Sequence, residues 1–270
     1  MDIPKFETKK ELFVFLIENK ETLTAQKKAV TKFSDGFAFD SDSIRVDADI
    51  ALKAIKTNNP IIDAPAELSV KAVINTTNVI DSHNDVHLPG IWDKSLRENK
   101  NIMHLQEHKM QFDSIISDGR DLKVSAETKT WEELGFTFKG ETQALIFDST
   151  VKRSRNKYMH SQYADGHINN HSVAMQYVKI VLAINDEDAG NEFDVWEKYI
   201  DQIANKEEAI SQGYFWAVKE AKVIEGSAVP IGSNQFTPTL ENNKSKPVQA
   251  TSTEPVRATQ NNDILIHYLN

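Results

Sequence analysis

The sequence predicts an α+β fold: a mixed or barrel-like sheet with helices at its periphery. Three observations carry that expectation. Several segments rich in Val, Ile and Thr alternate apolar and polar residues as strands do. Segments with helical spacing stand at irregular places among them, without the regular strand-helix alternation of a βαβ array. With 40% hydrophobic and 26% charged residues and every aromatic type present, the 270-residue chain has the apolar surface for a core. No repeat of solenoid period is visible.

In chain order, Leu12, Phe13, Leu16, Ile17 and Leu23 recur at roughly helical spacing between Lys9 and Val30, which predicts one amphipathic helix docked on the core. Gly36 to Ile50 is rich in Asp and Ser and alternates weakly; Asn58-Asn59-Pro60 reads as a turn, and Val70 to Ile80 as a strand. Asp81, Ser82, Asn84 and Asp85 then form a turn leading to His87-Leu88-Pro89-Gly90, with a short helix over Ile91 to Leu96. Strand-like segments follow at Asn101 to His108, Leu122 to Thr130, Gln143 to Val151 and His171 to Ile184, with a loop and helix over Arg153 to Tyr163. Asn191 to Gln212 carries Trp196, Tyr199, Ile200, Ile203 and Ile210 on one stripe, and Gly213 stands where a helix C-cap glycine belongs. Tyr214 to Glu225 alternates as a half-buried strand. From Glu241 to Asp263 aromatics vanish and Asn, Thr, Ser, Pro and Gln dominate, which predicts a disordered tail; its last residues, Ile264 to Leu269, are apolar again and suit a short docking peptide or a frayed strand. The organisation expected is a helical segment over residues 1–35, a folded domain over 36–240 and a polar tail over 241–270.

A formal net charge of −9 and the lack of any basic run argue against nucleic acid as the main partner, because phosphate binding needs an excess of Lys and Arg on some face. The chain has no cysteine, so disulfides, thiolate metal sites and Cys nucleophiles are excluded and nucleophilic chemistry falls to Ser, Thr, Lys or a carboxylate. The apolar run Leu12 to Ile17 is too short for a signal segment or a membrane span, so a cytosolic product without a membrane partner is expected.

Six of the eight histidines fall in pairs four residues apart: His83/His87, His104/His108 and His167/His171. Such pairs meet only on a helix; on a strand the members share a face but stand well apart. His104-Leu105-Gln106-Glu107-His108 fits the H-x-x-E-H pattern of inverted zinc peptidases, but Ile102, Met103 and Leu105 suit a strand, and no third ligand stands out. His83, His87, His160, His167 and His267 read as surface or hydrogen-bonded residues. A nucleophile paired with a histidine base is the other reading, and its members can be far apart in sequence. Ser172 qualifies by position: Gly166-His167-Ile168-Asn169-Asn170-His171-Ser172-Val173 runs from a loop glycine into a Val-, Met- and Tyr-rich strand, whose mouth can hold a hydroxyl rigidly.

Four segments, in order, resemble the HK97-type bacteriophage prohead (capsid maturation) serine proteases, a family grouped with the herpesvirus assemblins. Asp85-Val86-His87-Leu88-Pro89-Gly90-Ile91-Trp92 is similar to the family's acidic turn, Pro-Gly and aromatic segment opening a helix. Ile102 to His108 is similar to its strand ending in the catalytic histidine, here His108, and Gly166 to Ser172 to the segment that ends in the nucleophile, here Ser172. Lys219-Glu220-Ala221-Lys222-Val223-Ile224-Glu225-Gly226-Ser227-Ala228-Val229-Pro230 resembles the family's Glu-x-Ser-x-Val-x-Pro strand, making Glu225 the third catalytic candidate and Glu220 the alternative. Two departures stand out: Gly226 replaces a small apolar residue, and Gly232-Ser233-Asn234 replaces the commoner Pro-Ala-Asn. The resemblance spans Val70 to Asn234. It implies an assemblin-like mixed or antiparallel β-barrel ringed by helices, and a serine endopeptidase without a cofactor. Cleavage of scaffold or major capsid protein, and of itself, is implied inside the assembling procapsid in the host cytoplasm, with a homodimer expected from the assemblins. The zinc peptidase and an inert assembly factor keeping the protease fold are the other readings.

Overall fold

A computed structural model describes residues 3–29, 31 and 64–244. The expectations for Gly36 to Ile50, Asn58-Asn59-Pro60 and the tail beyond Lys244 lie outside the described residues.

The expected N-terminal helix is two helices, α1 (Lys9–Glu18) and α2 (Lys20–Ala29). Thr8 and Glu11 form a reciprocal capping box that starts α1. Asn19 ends it, its side-chain amide donating to the Phe15 carbonyl at 2.9 Å. Phe13, Leu16 and Leu23 from this pair join the main core, and α2 also buries a lysine, Lys27.

The strands form two sheets. The first contains β1 (Glu67–Thr76), β5 (Leu122–Thr130), β6 (Glu141–Lys152) and β9 (Thr239–Lys244), antiparallel in the order β5-β6-β1-β9. β9 was not predicted, because its polar residues read as the start of the tail; backbone pairing with β1 makes residues 241–244 strand. The second sheet is mixed. Its centre is β8 (Tyr214–Ala228), which pairs antiparallel with β7 (His171–Ile184) on one side and parallel with β2 (Asp85–His87) and β3 (Met103–Gln106) on the other; β4 (Ile115–Asp118) extends β3. Short β2 and β4 escape sequence periodicity because three or four residues show no period.

This is a mixed α+β fold, as expected, but hydrogen bonding among the described strands leaves two sheets instead of one closed barrel. β4 approaches β6 and β1 approaches β7 without a ladder between them. The core fills the space between the sheets: Val70, Ala72 and Ile74 of β1 and Phe147 of β6 are packed with Met175 of β7 and Trp216, Val218 and Val223 of β8.

Three further helices, α3 (Asp93–Glu98), α4 (Lys157–Ala164) and α5 (Asn191–Ile200), lie where sequence periodicity places helices, and α6 (Lys206–Gln212) is a separate piece of the predicted 191–212 helix. The break falls before Asn205, whose side chain clamps both backbone polar groups of Ile80 at 2.9 Å and leaves α6 without a side-chain cap. Gly213 ends α6 in the left-handed conformation, φ +77°. Trp196, Tyr199 and Ile200 of α5 pack with Phe215 and Ala217 in a second cluster. No helix among the described residues is long and apolar enough to cross a membrane.

Lys27 is 2% exposed and its ammonium pairs with Asp85, which is fully buried. Removing one partner of such a pair strands the other charge at a cost of about 3–5 kcal/mol. Lys27→Met is expected to lower unfolding stability by that amount in urea titration, and adding Asp85→Asn to restore much of it. Purely additive losses would show that the pair is not coupled.

Candidate active site

β7 and β8 set the site through their register. Ser172 lies opposite Ser227 and Ala174 opposite Glu225, so the Ser172, Ser227 and Glu225 side chains share one face of the sheet, while His171, Val173 and Gly226 face the other sheet. β3 runs parallel to the end of β8, Gln106 opposite Ala228. There the chain turns through two successive left-handed, non-glycine residues, Glu107 (φ 51°) and His108 (φ 57°), which brings His108 onto the Ser172 face. Each such residue costs about 1–3 kcal/mol, so the surroundings must hold the turn. The Glu107 amide donates to the Ala228 carbonyl at 3.0 Å and the His108 amide to Ser227 Oγ at 3.0 Å.

Three predicted residues meet. Ser172 Oγ stands 2.9 Å from His108 Nε2, and His108 Nδ1 makes a short contact with Glu225 Oε1. The other Glu225 oxygen, Oε2, accepts from Ser227 Oγ at 2.6 Å. Directions follow from which atoms can donate. An ionised carboxylate only accepts, so the proton of neutral His108 sits on Nδ1, facing Glu225, and Nε2 is left to accept from the Ser172 hydroxyl. Ser227 completes the set, accepting from the His108 amide while donating to Glu225. With Ser172 4% and Glu225 1% exposed, these bonds act with little water around them.

The alternative Glu220 sits five residues up β8, about 16 Å along the strand, where its carboxylate pairs with Lys179 and Lys94. Geometry therefore selects Glu225. The H-x-x-E-H segment is a strand followed by a turn, so it lacks the helix that would bring His104 and His108 together: His104 is fully buried between the sheets and His108 is on the other face. No cluster of three or more metal-ligating side chains occurs among the described residues.

Behind the nucleophile runs a buried chain of hydrogen bonds. His171 Nδ1 can only donate to the Thr237 carbonyl (2.9 Å), so its Nε2 accepts from Tyr163 OH (3.0 Å); the Tyr163 oxygen accepts from His104 Nε2 (3.2 Å), and His104 Nδ1 accepts from Ser149 Oγ (2.8 Å). This chain ties β7, α4, β3 and β6 together directly behind Ser172. Thr237 also binds both backbone groups of His171 through its hydroxyl, donating to the carbonyl (2.8 Å) and accepting from the amide (3.1 Å). Of the histidines read as surface or hydrogen-bonded residues, His87 belongs to a second buried network, with Asn75 and Tyr177, and His160 bonds the Pro65 carbonyl.

Both departures from the resembled motifs have packing reasons. A Cβ on Gly226 would stand 2.6 Å from the Phe147 ring and 2.7 Å from Ile74, so only glycine lets β8 lie this close to the opposite sheet. A Cβ on Gly232 would meet the His171 carbonyl oxygen at 2.7 Å. Asn234, two residues on, is anchored by bonds to Asn75 Oδ1 (2.6 Å) and the Thr76 carbonyl (3.1 Å).

Comparisons with family models, curated proteins and solved structures return no match for this chain, so its own geometry carries the reading of the site.

Sequence reasoning left Ser227, Thr237 and Tyr163 without roles. Ser227 lies in the Glu-x-Ser segment, but its part becomes visible only with the β3-β8 register. Ser227→Ala would remove the brace on Glu225 and the acceptor for the His108 amide. Reactivity of Ser172 toward a fluorophosphonate is expected to fall about tenfold to a hundredfold, the equivalent of one or two hydrogen bonds to a charged group. Retained reactivity would remove Ser227 from the account.

Burial depresses the pKa of four histidines: His171 to about 4, His104 well below its ordinary value, and His87 and His160 in the same direction. Between pH 6.5 and 4 the unfolded chain thus binds protons that the folded chain refuses, and stability falls as pH drops through that window. For His171 alone the loss is about 3 kcal/mol. Asp81, raised to about 6 by burial and the Asp85 charge, and Glu208, raised by burial, oppose this, but two carboxyls stand against four imidazoles. Urea midpoints are expected to drop steeply from pH 7 to pH 4.5; a flat profile would contradict the neutral network.

Proposed function

We propose that this chain is a serine endopeptidase of the prohead-protease type, which cleaves scaffold or capsid protein, and itself, during procapsid maturation. The observation that supports it most is the unbroken line of hydrogen bonds from the Ser172 hydroxyl through His108 to the Glu225 carboxylate. Those three residues come from three of the four resembling segments, which lie far apart in sequence and meet on one face of the second sheet.

In the reaction, Ser172 Oγ forms a bond to the scissile carbonyl carbon while its proton passes to His108 Nε2. Glu225 stabilises the imidazolium and keeps its Nδ1 proton in place. As the tetrahedral intermediate collapses, His108 gives the Nε2 proton to the leaving amine and the C–N bond breaks, leaving an ester on Ser172. A water, deprotonated by the same nitrogen, releases the acid product and restores the hydroxyl. Assemblin-like barrel architecture belongs to this proposal: β4 and β7, which flank the second sheet, approach β6 and β1, the inner strands of the first. Concentrating many copies inside a shell would favour weak self-association and start cleavage there.

Co-expression with the capsid precursor tests the reading. Wild type is expected to process the precursor, whereas Ser172→Ala and His108→Ala should each slow processing by a thousandfold or more, and Glu225→Gln by about a hundredfold or more. Processing that survives Ser172→Ala and stops with a chelator would overturn the proposal in favour of metal chemistry. Unprocessed precursor with wild type and Ser172→Ala alike would favour the inert assembly factor.

A further inference from the structure

Ser172 is the second residue of β7, and on the edge away from β8 this strand has no ladder partner among the described strands. Residues 232–237, which belong to no helix or strand, take that place: Thr237 grips both backbone groups of His171 and Gly232 lies against its carbonyl. Asn234 shapes this segment. Its Oδ1 accepts from the Phe236 amide (2.9 Å), and its Nδ2 donates to the Thr76 carbonyl (3.1 Å) and to Asn75 Oδ1 (2.6 Å). Asn75 Oδ1 also accepts from the Thr76 amide (3.0 Å). A backbone amide only donates and a backbone carbonyl only accepts, so neither of these side-chain amides can be turned round.

From Asn75 a buried chain of hydrogen bonds runs away from the site. Asn75 Nδ2 donates to His87 Nδ1 (3.0 Å), so neutral His87 carries its proton on Nε2 and donates to Tyr177 OH (3.0 Å), which donates to Asp85 Oδ2 (2.8 Å). The other Asp85 oxygen takes the Lys27 ammonium, which also reaches the His83 carbonyl (3.3 Å). Burial lowers the pKa of His87 and raises that of Tyr177 well above its ordinary value, so both stay neutral. Asn234 is the most exposed member of the chain at 6%, which leaves little water to replace a lost bond. Every bond from Asn234 onward points toward Asp85, and this direction holds only while Asp85 is an acceptor. Lys27 keeps it one. Without the ammonium, a buried carboxylate beside Asp81 takes up a proton and becomes a donor. Tyr177 then turns its proton to His87 Nε2, the ring proton moves to Nδ1, and two donors collide at Asn75, which cannot turn. The conflict falls on Asn234 and the segment that holds His171.

We infer that Lys27 is a positioning residue for Ser172: through this one-way chain the ammonium of α2 holds the strand end that carries the nucleophile. The inference rests on the serine peptidase reading and makes the α1-α2 pair part of the catalytic unit. Two discrete arrangements of protons, one for each state of Asp85, are what let a charge on a peripheral helix act on a site it does not touch.

The test compares the full chain with Lys27→Met and with Tyr177→Phe, which cuts the chain midway and leaves Lys27 paired with Asp85. Ser172 is labelled with a small alkyl fluorophosphonate over a range of concentrations, in buffer where near-ultraviolet circular dichroism shows each variant folded. Both variants are expected to lower the limiting labelling rate about threefold to thirtyfold and to change the half-saturating concentration by less than about twofold, as misplacement of the nucleophile requires. ¹⁵N NMR of the His87 ring supplies a readout that lost stability alone would not move: the proton is expected on Nε2 in wild type and on Nδ1 in Lys27→Met. Wild-type labelling rates in the folded variants, or a His87 proton that stays on Nε2 in Lys27→Met, would overturn the role of Lys27 and leave the peptidase reading standing. If Lys27→Met does not fold, the labelling rate of Tyr177→Phe decides. Failure of the fluorophosphonate to label wild-type Ser172 would bring down the peptidase reading and the role of Lys27 with it.

Discussion

The pairing of β7 with β8 is the constraint from which the site follows. Because Ser172 lies opposite Ser227, the nucleophile, the orienting carboxylate and the serine that braces it project from one face. A slip of one residue would send His171 to that face and bury Ser172 against the other sheet. Several contacts hold the register where it is. Gly226 lets β8 settle onto Phe147 and Ile74, Thr237 grips both backbone groups of His171, and Gly232 lies against the His171 carbonyl where no side chain would fit.

The two faces of these strands carry opposite electrostatics. One bears groups that exchange a proton: the Ser172 hydroxyl, the His108 imidazole and the Glu225 carboxylate. The other bears His171, Tyr163 and His104, whose bonds are satisfied only while all three are neutral. Burial enforces that neutrality, so histidines one and four residues before the site residues serve as rigid polar packing. Rigidity matters because catalysis requires the oxygen to stay within reach of Nε2 without reorganisation. The strained turn at Glu107 and His108 shows the same logic: a conformation most residues avoid is held by two hydrogen bonds because it delivers the ring.

Much of this was legible in the sequence. β5 and β7 were predicted to the residue, and β8 and β6 within a few, because long alternating segments carry a strong period. Ser172, His108 and Glu225 were named from motif order. What stayed hidden was of two kinds. Breaks at Asn19 and before Asn205 depend on tertiary partners or a cap that helical spacing does not encode, and β9 is strand only because β1 offers a ladder. Ser227, Thr237 and the lysine of α2 acquire roles from neighbours distant in sequence, so no local pattern announces them. Nor could spacing alone decide between Glu225 and Glu220, whereas strand length separates them at once.

The central claim is that one imidazole bridges a hydroxyl and a carboxylate in a defined tautomer. ¹⁵N-resolved NMR of the histidine rings near neutral pH tests this most directly. The account predicts that His108, assigned by loss of its signals in His108→Ala, carries its proton on Nδ1, resonating far downfield from the bond to Glu225 and moving upfield in Glu225→Gln. A His108 ring protonated mainly on Nε2, with signals indifferent to Glu225→Gln, would contradict it.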